Sequence, residues 1–165
     1  MKRYIIVLLP QKETSNIIEN FRIHMIGQPL VDNLYPHVSF KRSFFLNSNF
    51  SEENLIEFFN TLSYRKFRID FSGLEYFDDA LVLRGESKAL MAAHKELVKS
   101  LEKNTSTRNP QWEMGGYKIH LTLLRSFSDA NIEPPIVERT ILDRMALYEI
   151  GDGNHANLIA IANLN

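Results

Sequence analysis

The chain contains no cysteine. That excludes a disulfide framework, a thiolate metal centre and a cysteine nucleophile, and it fits a reducing compartment. An excess of charge is also missing: 19 Lys+Arg stand against 20 Asp+Glu, for a formal net charge of −1. No global field draws the protein to polyanions, so a nucleic-acid ligand would have to be held at a local site. Long apolar runs are missing too. The run at the start, YIIVLL, is closed by Pro10. It is too short for the apolar segment and cleavage site of a secretion signal, and far short of the ~20 residues of a membrane span. A cytoplasmic protein without membrane contact is expected. No linker or low-complexity stretch divides the 165 residues, so one domain over 1–165 is the economical reading.

What is present reads as strands and helices in a definite order. Residues 3–9 form the first strand. Ile17, Ile18, Phe21, Met25 and Ile26 recur at helical spacing over 14–26, with Thr14 or Ser15 available as N-cap. Gly27, Pro29 and Asp32-Asn33 mark a loop. Ser51 can cap a helix over 52–63 with Leu55, Phe58, Phe59 and Leu62 on one face. Phe67, Ile69 and Phe71 alternate with Arg68, Asp70 and Ser72 in a half-buried strand, and LVLRG at 81–85 follows the Asp78-Asp79 turn. Ser87 opens a third helix ending near residue 103. Residues 104–116 read as a polar loop ending in Gly115-Gly116, and Glu133-Pro134-Pro135 breaks the chain again. Two closing strands, 143–150 and 157–164, are joined by Gly151-Asp152-Gly153-Asn154, a hairpin signal. The order implies an α+β fold with mostly antiparallel sheet.

Two further strands carry the chemistry. YPHVSFKR contains His37-Val38-Ser39, and YKIHLTLLR contains His120-Leu121-Thr122. Side chains alternate along a strand, so His37 shares a face with Ser39, and His120 with Thr122. The other faces are apolar: Val38 and Phe40 in one, Ile119, Leu121 and Leu123 in the other. One such strand is unremarkable; two in equivalent contexts suggest half-sites that meet. An imidazole with an unperturbed pKa of about 6.5 gives and takes protons near neutrality. Two of them can act as base and acid in one displacement, with a bell-shaped pH profile whose limbs both lie near neutrality. A hydroxyl on the same face can donate to a phosphoryl oxygen. The bland alternative is a pair of half-buried strand histidines with no joint role.

These strands resemble the two-histidine (2H) phosphoesterase superfamily, in the branch named for 2′-5′ RNA ligase, whose signature is two His-x-Thr/Ser motifs on strands. The likeness rests on PHVSF and HLTLLR, and extends to YIIVLLP, to FRIDFSGLEYF and to the helix ahead of the second motif. It implies two pseudo-symmetric lobes of mostly antiparallel sheet, with outer helices and both motifs in a central cleft. It implies action without metal or other cofactor on 2′,3′-cyclic phosphates or 2′-5′ phosphodiesters. His37 and His120 would then be the acid–base pair, and Ser39 and Thr122 would hold the phosphate. The partner would be an RNA end or a nucleotide carrying such a phosphate, and a monomer is expected. The competing reading is a non-catalytic module that binds RNA ends or nucleotides in the same cleft.

Other residues are candidates of lower standing. Arg125, beyond Thr122, and Lys41, two residues beyond Ser39, would contact substrate phosphate or form surface salt bridges. Tyr35 and Trp112 precede their histidine strands and could stack a base, though core packing is the expectation for Trp112. His94 lies on the apolar face of the third helix and is expected to be buried; His24 and His155 are expected at the surface. A zinc site built on His37 and His120 is disfavoured, because the neighbouring positions supply hydroxyls rather than carboxylates.

Overall fold

The opening apolar run does not alternate because it is buried on both faces. In the computed structural model, which describes residues 2–113, 115–126, 132–151, 153 and 155–165, it forms β1 (Arg3–Pro10). Tyr4, Ile6 and Leu8 enter the main core, while Ile5, Val7 and Leu9 join a smaller cluster with Ala146, Tyr148 and Ile150. The chain continues through α1 (Lys12–Ile26), β2 (Val38–Leu46), α2 (Glu52–Thr61), β3 (Phe67–Phe77), β4 (Ala80–Glu86), α3 (Lys88–Leu101), β5 (Thr105–Ser106), β6 (His120–Arg125), β7 (Arg139–Ile150) and β8 (Ala156–Asn163). A short 3-10 turn spans Pro110–Trp112. This is the α+β, antiparallel architecture that the element order implies.

The sheet runs β1-β2-β6-β4-β3-β7-β8, with β5 beside β2. β1 also pairs with β7, so the path closes on itself. Two seams are thin. β2 meets β6 at a single pair, Val38↔Leu121. β3 meets β7 only from Phe67↔Leu142 to Asp70↔Arg139. The seams separate one half (β2, β1, β7, β8) from the other (β6, β4, β3). The helices pack against the main core: Ile18 from α1, Leu55 and Phe59 from α2, Leu90, Leu97 and Leu101 from α3 are all fully buried. Each such side chain contributes about 1.5–3 kcal/mol by leaving water.

Several boundaries differ from the sequence reading. α1 starts at Lys12, with Gln11 at the cap position and no side-chain cap. Pro10 ends β1 and the helix turns at once, so Thr14 is already inside it, buried and hydrogen-bonded to Thr140 at 2.8 Å. Ser51 caps α2 in a reciprocal capping box with Asn54. α2 and α3 each stop two residues early, and β7 begins at Arg139 rather than 143. Thr105 and Ser106 leave the expected loop to pair with Leu46 and Phe45. β7 and β8 pair from Ile150↔Ala156 onward; Asp152 and Asn154 of the hairpin signal lie outside the described residues. Among the described residues no helix is long and apolar enough to cross a membrane.

Candidate active site

The site forms at the β2/β6 seam. The antiparallel pair Val38↔Leu121 puts His37 in register with Thr122 and Ser39 in register with His120, so each histidine stands across from the other motif's hydroxyl. Val38, Phe40, Ile119, Leu121 and Leu123 are all at most 2% exposed. Their burial turns the opposite faces, with the imidazoles and hydroxyls, into the cleft. A cavity of about 180 Å³ is lined by His37, Ser39, His120 and Thr122, together with Arg22, Arg42, Arg125 and Asp32. A second, of about 360 Å³, shares His120, Thr122, Arg42 and Arg125 and adds Phe77, Asp78, Asp79, Trp112 and Lys118.

Both imidazoles are held the same way. His37 Nδ1 donates to the Tyr35 carbonyl at 2.8 Å, and His120 Nδ1 donates to the Lys118 carbonyl at 2.8 Å. A carbonyl only accepts, so each Nδ1 carries a hydrogen and Nε2 is the nitrogen left for proton transfer. The Phe77 ring packs against His120 in a T-shaped contact with centroids 4.9 Å apart. Burial pushes His37 down to about 4, with Arg22, His120 and Arg125 adding to the effect. Burial likewise lowers His120, helped by Arg42, Arg84 and Arg125. The free site therefore holds neutral rings among fixed cations, a setting that favours an incoming anion.

The structure brings His37, Ser39, His120, Thr122 and Arg125 to one cavity. Arg125 is held there by Asp32 at 2.8 Å and by Asp79 at 3.5 Å. Lys41 is elsewhere. The β1–β2 register slips between Ile6↔Lys41 and Val7↔Ser39, a bulge at Phe40. The bulge resets the alternation, so Phe40 and Lys41 are both buried and Arg42 takes the cleft position. Lys41, 2% exposed, is bound to Glu113 instead. The Tyr35 side chain also leaves the cleft, for a groove beside Leu9, Pro36, Arg144 and Tyr148; only its carbonyl serves the site. Trp112 is not a core residue. It is 39% exposed, lines the larger cavity and carries the Arg42 guanidinium 4.7 Å over its ring. His94 is fully buried, His24 is exposed, and His155 is exposed with its ring against Asn33.

Arg22 was not visible as a site residue in the motifs. It is 1% exposed and reaches from α1 under the second motif strand. Its Nη2 donates to the Thr122 carbonyl at 2.5 Å and its Nε to the Leu123 carbonyl at 3.0 Å. Burial lowers it to about 10, which still leaves it charged at neutrality. The one available signal is its place four residues after Ile18, on the buried stripe of α1, where a cation needs a reason to be. Among the described residues no group of three His, Asp or Glu side chains is placed to hold a metal ion.

No curated protein matches the chain by sequence. Solved structures do match it in fold. Escherichia coli LigT, solved with 3′-AMP, superposes with a TM-score of 0.66 at 15% identity, covering 99% of this chain and 98% of LigT. A structure described as a phosphoesterase gives 0.64 at 16% identity, over 99% and 98% of the two chains. A Thermus thermophilus protein gives 0.63 at 15% identity, over 98% and 97%. The sequence itself matches the 2′-5′ RNA ligase superfamily over residues 10–151, a span that holds both histidine motifs and the strands between them. With that match running over well more than half of the chain, this protein belongs to the 2′-5′ RNA ligase superfamily, the two-histidine phosphoesterases.

Proposed function

We propose that the protein is a metal-independent phosphoesterase acting on 2′,3′-cyclic phosphates or 2′-5′ phosphodiesters at RNA ends or on nucleotides. The observation that carries this reading is the matched pair of histidines, each with Nδ1 tied to the carbonyl two residues back and Nε2 left free, around one cavity with two hydroxyls. Pure binding needs no such pair. In hydrolysis of a cyclic phosphate, His37 Nε2 takes a proton from water as the water oxygen bonds to phosphorus. His120 Nε2–H gives a proton to the departing ribose oxygen as its bond to phosphorus breaks. The roles are drawn with His37 as base, whose ring is neutral in the free site; a substrate bound in the reverse orientation exchanges them. Ser39 and Thr122 donate to the equatorial oxygens as charge builds. The substrate's own negative charge supports the protonated state of His120.

A nucleotide-sized ligand is supported by the adjoining cavity, with the exposed Trp112 and the half-buried Phe77 in its lining. It is supported too by the LigT structures with 3′-AMP and ATP. One copy of the chain carries both half-sites, so the reading takes a monomer, and the absence of cysteine suits the cytoplasm. The test is a panel of 2′,3′-cyclic nucleotides, 2′-5′ dinucleotides and cyclic-ended RNA, run with and without EDTA. Turnover that survives EDTA supports the proposal. Loss in EDTA restored by zinc or manganese points to metal chemistry. Absence of turnover, with binding that His37→Ala and His120→Ala weaken, makes the protein a binding module.

A further inference from the structure

Outside the cleft, one buried polar group has no part in the proton transfers. His94, from α3, is fully buried and stacks on Tyr117 with centroids 3.6 Å apart and planes 10° from parallel. Both are hydrogen-bonded to the first motif strand. The Tyr117 hydroxyl donates to the Ser39 carbonyl at 2.6 Å, and His94 Nδ1 donates to the Phe40 carbonyl at 2.7 Å. These carbonyls belong to consecutive residues at the point where β2 bulges and leaves β6, which it touches only at Val38↔Leu121. Buried carbonyls that lose ladder partners need others. The remaining nitrogen, His94 Nε2, bonds the Glu113 carbonyl, next in sequence to Trp112 in the wall of the larger cavity. Both ring nitrogens of His94 thus face carbonyl oxygens, one at the β2 bulge and one beside Trp112. Burial pushes the Tyr117 phenol up, so it remains a donor.

We propose that Tyr117 and His94 are positioning residues: they fix the Ser39 hydroxyl in the cleft by holding the carbonyls of Ser39 and Phe40, and His94 ties the Trp112 wall to the same strand. The role for Ser39 rests on the phosphoesterase reading; the tie to the wall does not. Trp112 is the chain's single tryptophan, so its fluorescence reports the wall without any substrate. His94→Gln keeps one N–H donor and loses the bridge. It should change acrylamide quenching of Trp112 in the folded protein, checked by unchanged far-UV circular dichroism. Tyr117→Phe keeps the stacked ring but strands the Ser39 carbonyl, so it should melt somewhat earlier than wild type while remaining folded at the assay temperature. On any ester that the wild type turns over, it should lower kcat several-fold to about tenfold, the worth of one hydrogen bond, with little change in KM. In a Ser39→Ala background the same change should cost almost nothing, because it acts through Ser39. Additive losses in that cycle, or unaltered Trp112 quenching in His94→Gln, would overturn the inference. A wild type with no turnover at all would sink the phosphoesterase reading alone, leaving the quenching experiment to decide the bridge.

Discussion

In the proposed mechanism each proton transfer is asked of one ring. His37→Ala and His120→Ala should therefore each cut turnover of a 2′,3′-cyclic phosphate by about 10²-fold or more, and the double substitution should cost less than the product of the singles. Steady-state kinetics on the three variants checks this. Ser39→Ala and Thr122→Ala should each lose one of the proposed phosphate hydrogen bonds, on the order of 1–3 kcal/mol in the transition state, which the same kinetics checks. The pH profile should depart from the expectation of limbs near neutrality. Both rings are lowered by burial among arginines, so the kcat/KM profile should peak on the acid side of the ordinary imidazole value. The ascending limb belongs to the base and the descending limb to the acid. His37→Ala should abolish the ascending limb in whatever activity is left. A profile centred above pH 7 would argue that the cleft does not hold neutral rings.

At the scale of the elements, the bulge in β2 decides which cation serves the cleft. Arg42→Ala should lower kcat/KM for the cyclic phosphate by about tenfold or more, the scale of one charge-assisted hydrogen bond. Lys41→Met should act on stability instead. It strands the Glu113 carboxylate, 5% exposed, and removing one partner of a buried pair costs about 3–5 kcal/mol. Pairing it with Glu113→Leu should recover much of that loss in urea melts. The same bulge shows where sequence reading stops. Strict alternation finds His37, Ser39, His120 and Thr122 because those stretches keep the period of two. It misplaces Lys41 and passes over Arg42 because an inserted residue depends on the partner strand, β1, and leaves no mark in β2's own sequence. Trp112 misleads for a similar reason: a large apolar ring is ordinarily buried, yet this one is covered by a guanidinium from another element. The element order, the Ser51 and Ser87 caps and the antiparallel class were legible, since each rests on local periodicity or capping.

The molecule as a whole keeps its two neutral histidines at the thinnest seam of a sheet that is otherwise closed, and this links folding, protons and anions. The native pKa of His37, about 4, lies below the unfolded value of about 6.5. The unfolded chain then binds more protons than the native one in that window. The stability contributed by the neutral ring is complete above about pH 6.5 and is lost as pH falls toward 4; His120, lowered in the same direction, adds to the loss. An anion in the cleft reverses the sign locally, because it favours the protonated ring and makes binding take up a proton. Sulfate is the suitable probe, since it stays a dianion across this range whereas phosphate does not. The melting temperature should fall from pH 7 to pH 5 in chloride, and at equal ionic strength sulfate should restore more at pH 5 than at pH 7. General exclusion of sulfate from protein surfaces also stabilises folds, so the comparison needs His37→Asn, whose side chain does not titrate. That variant should lose less stability on acidification and should show a smaller pH-dependent gain from sulfate. If wild type and variant respond to sulfate alike at both pH values, the cations of the cleft bind anions without the histidine, and the proton is not coupled to the site.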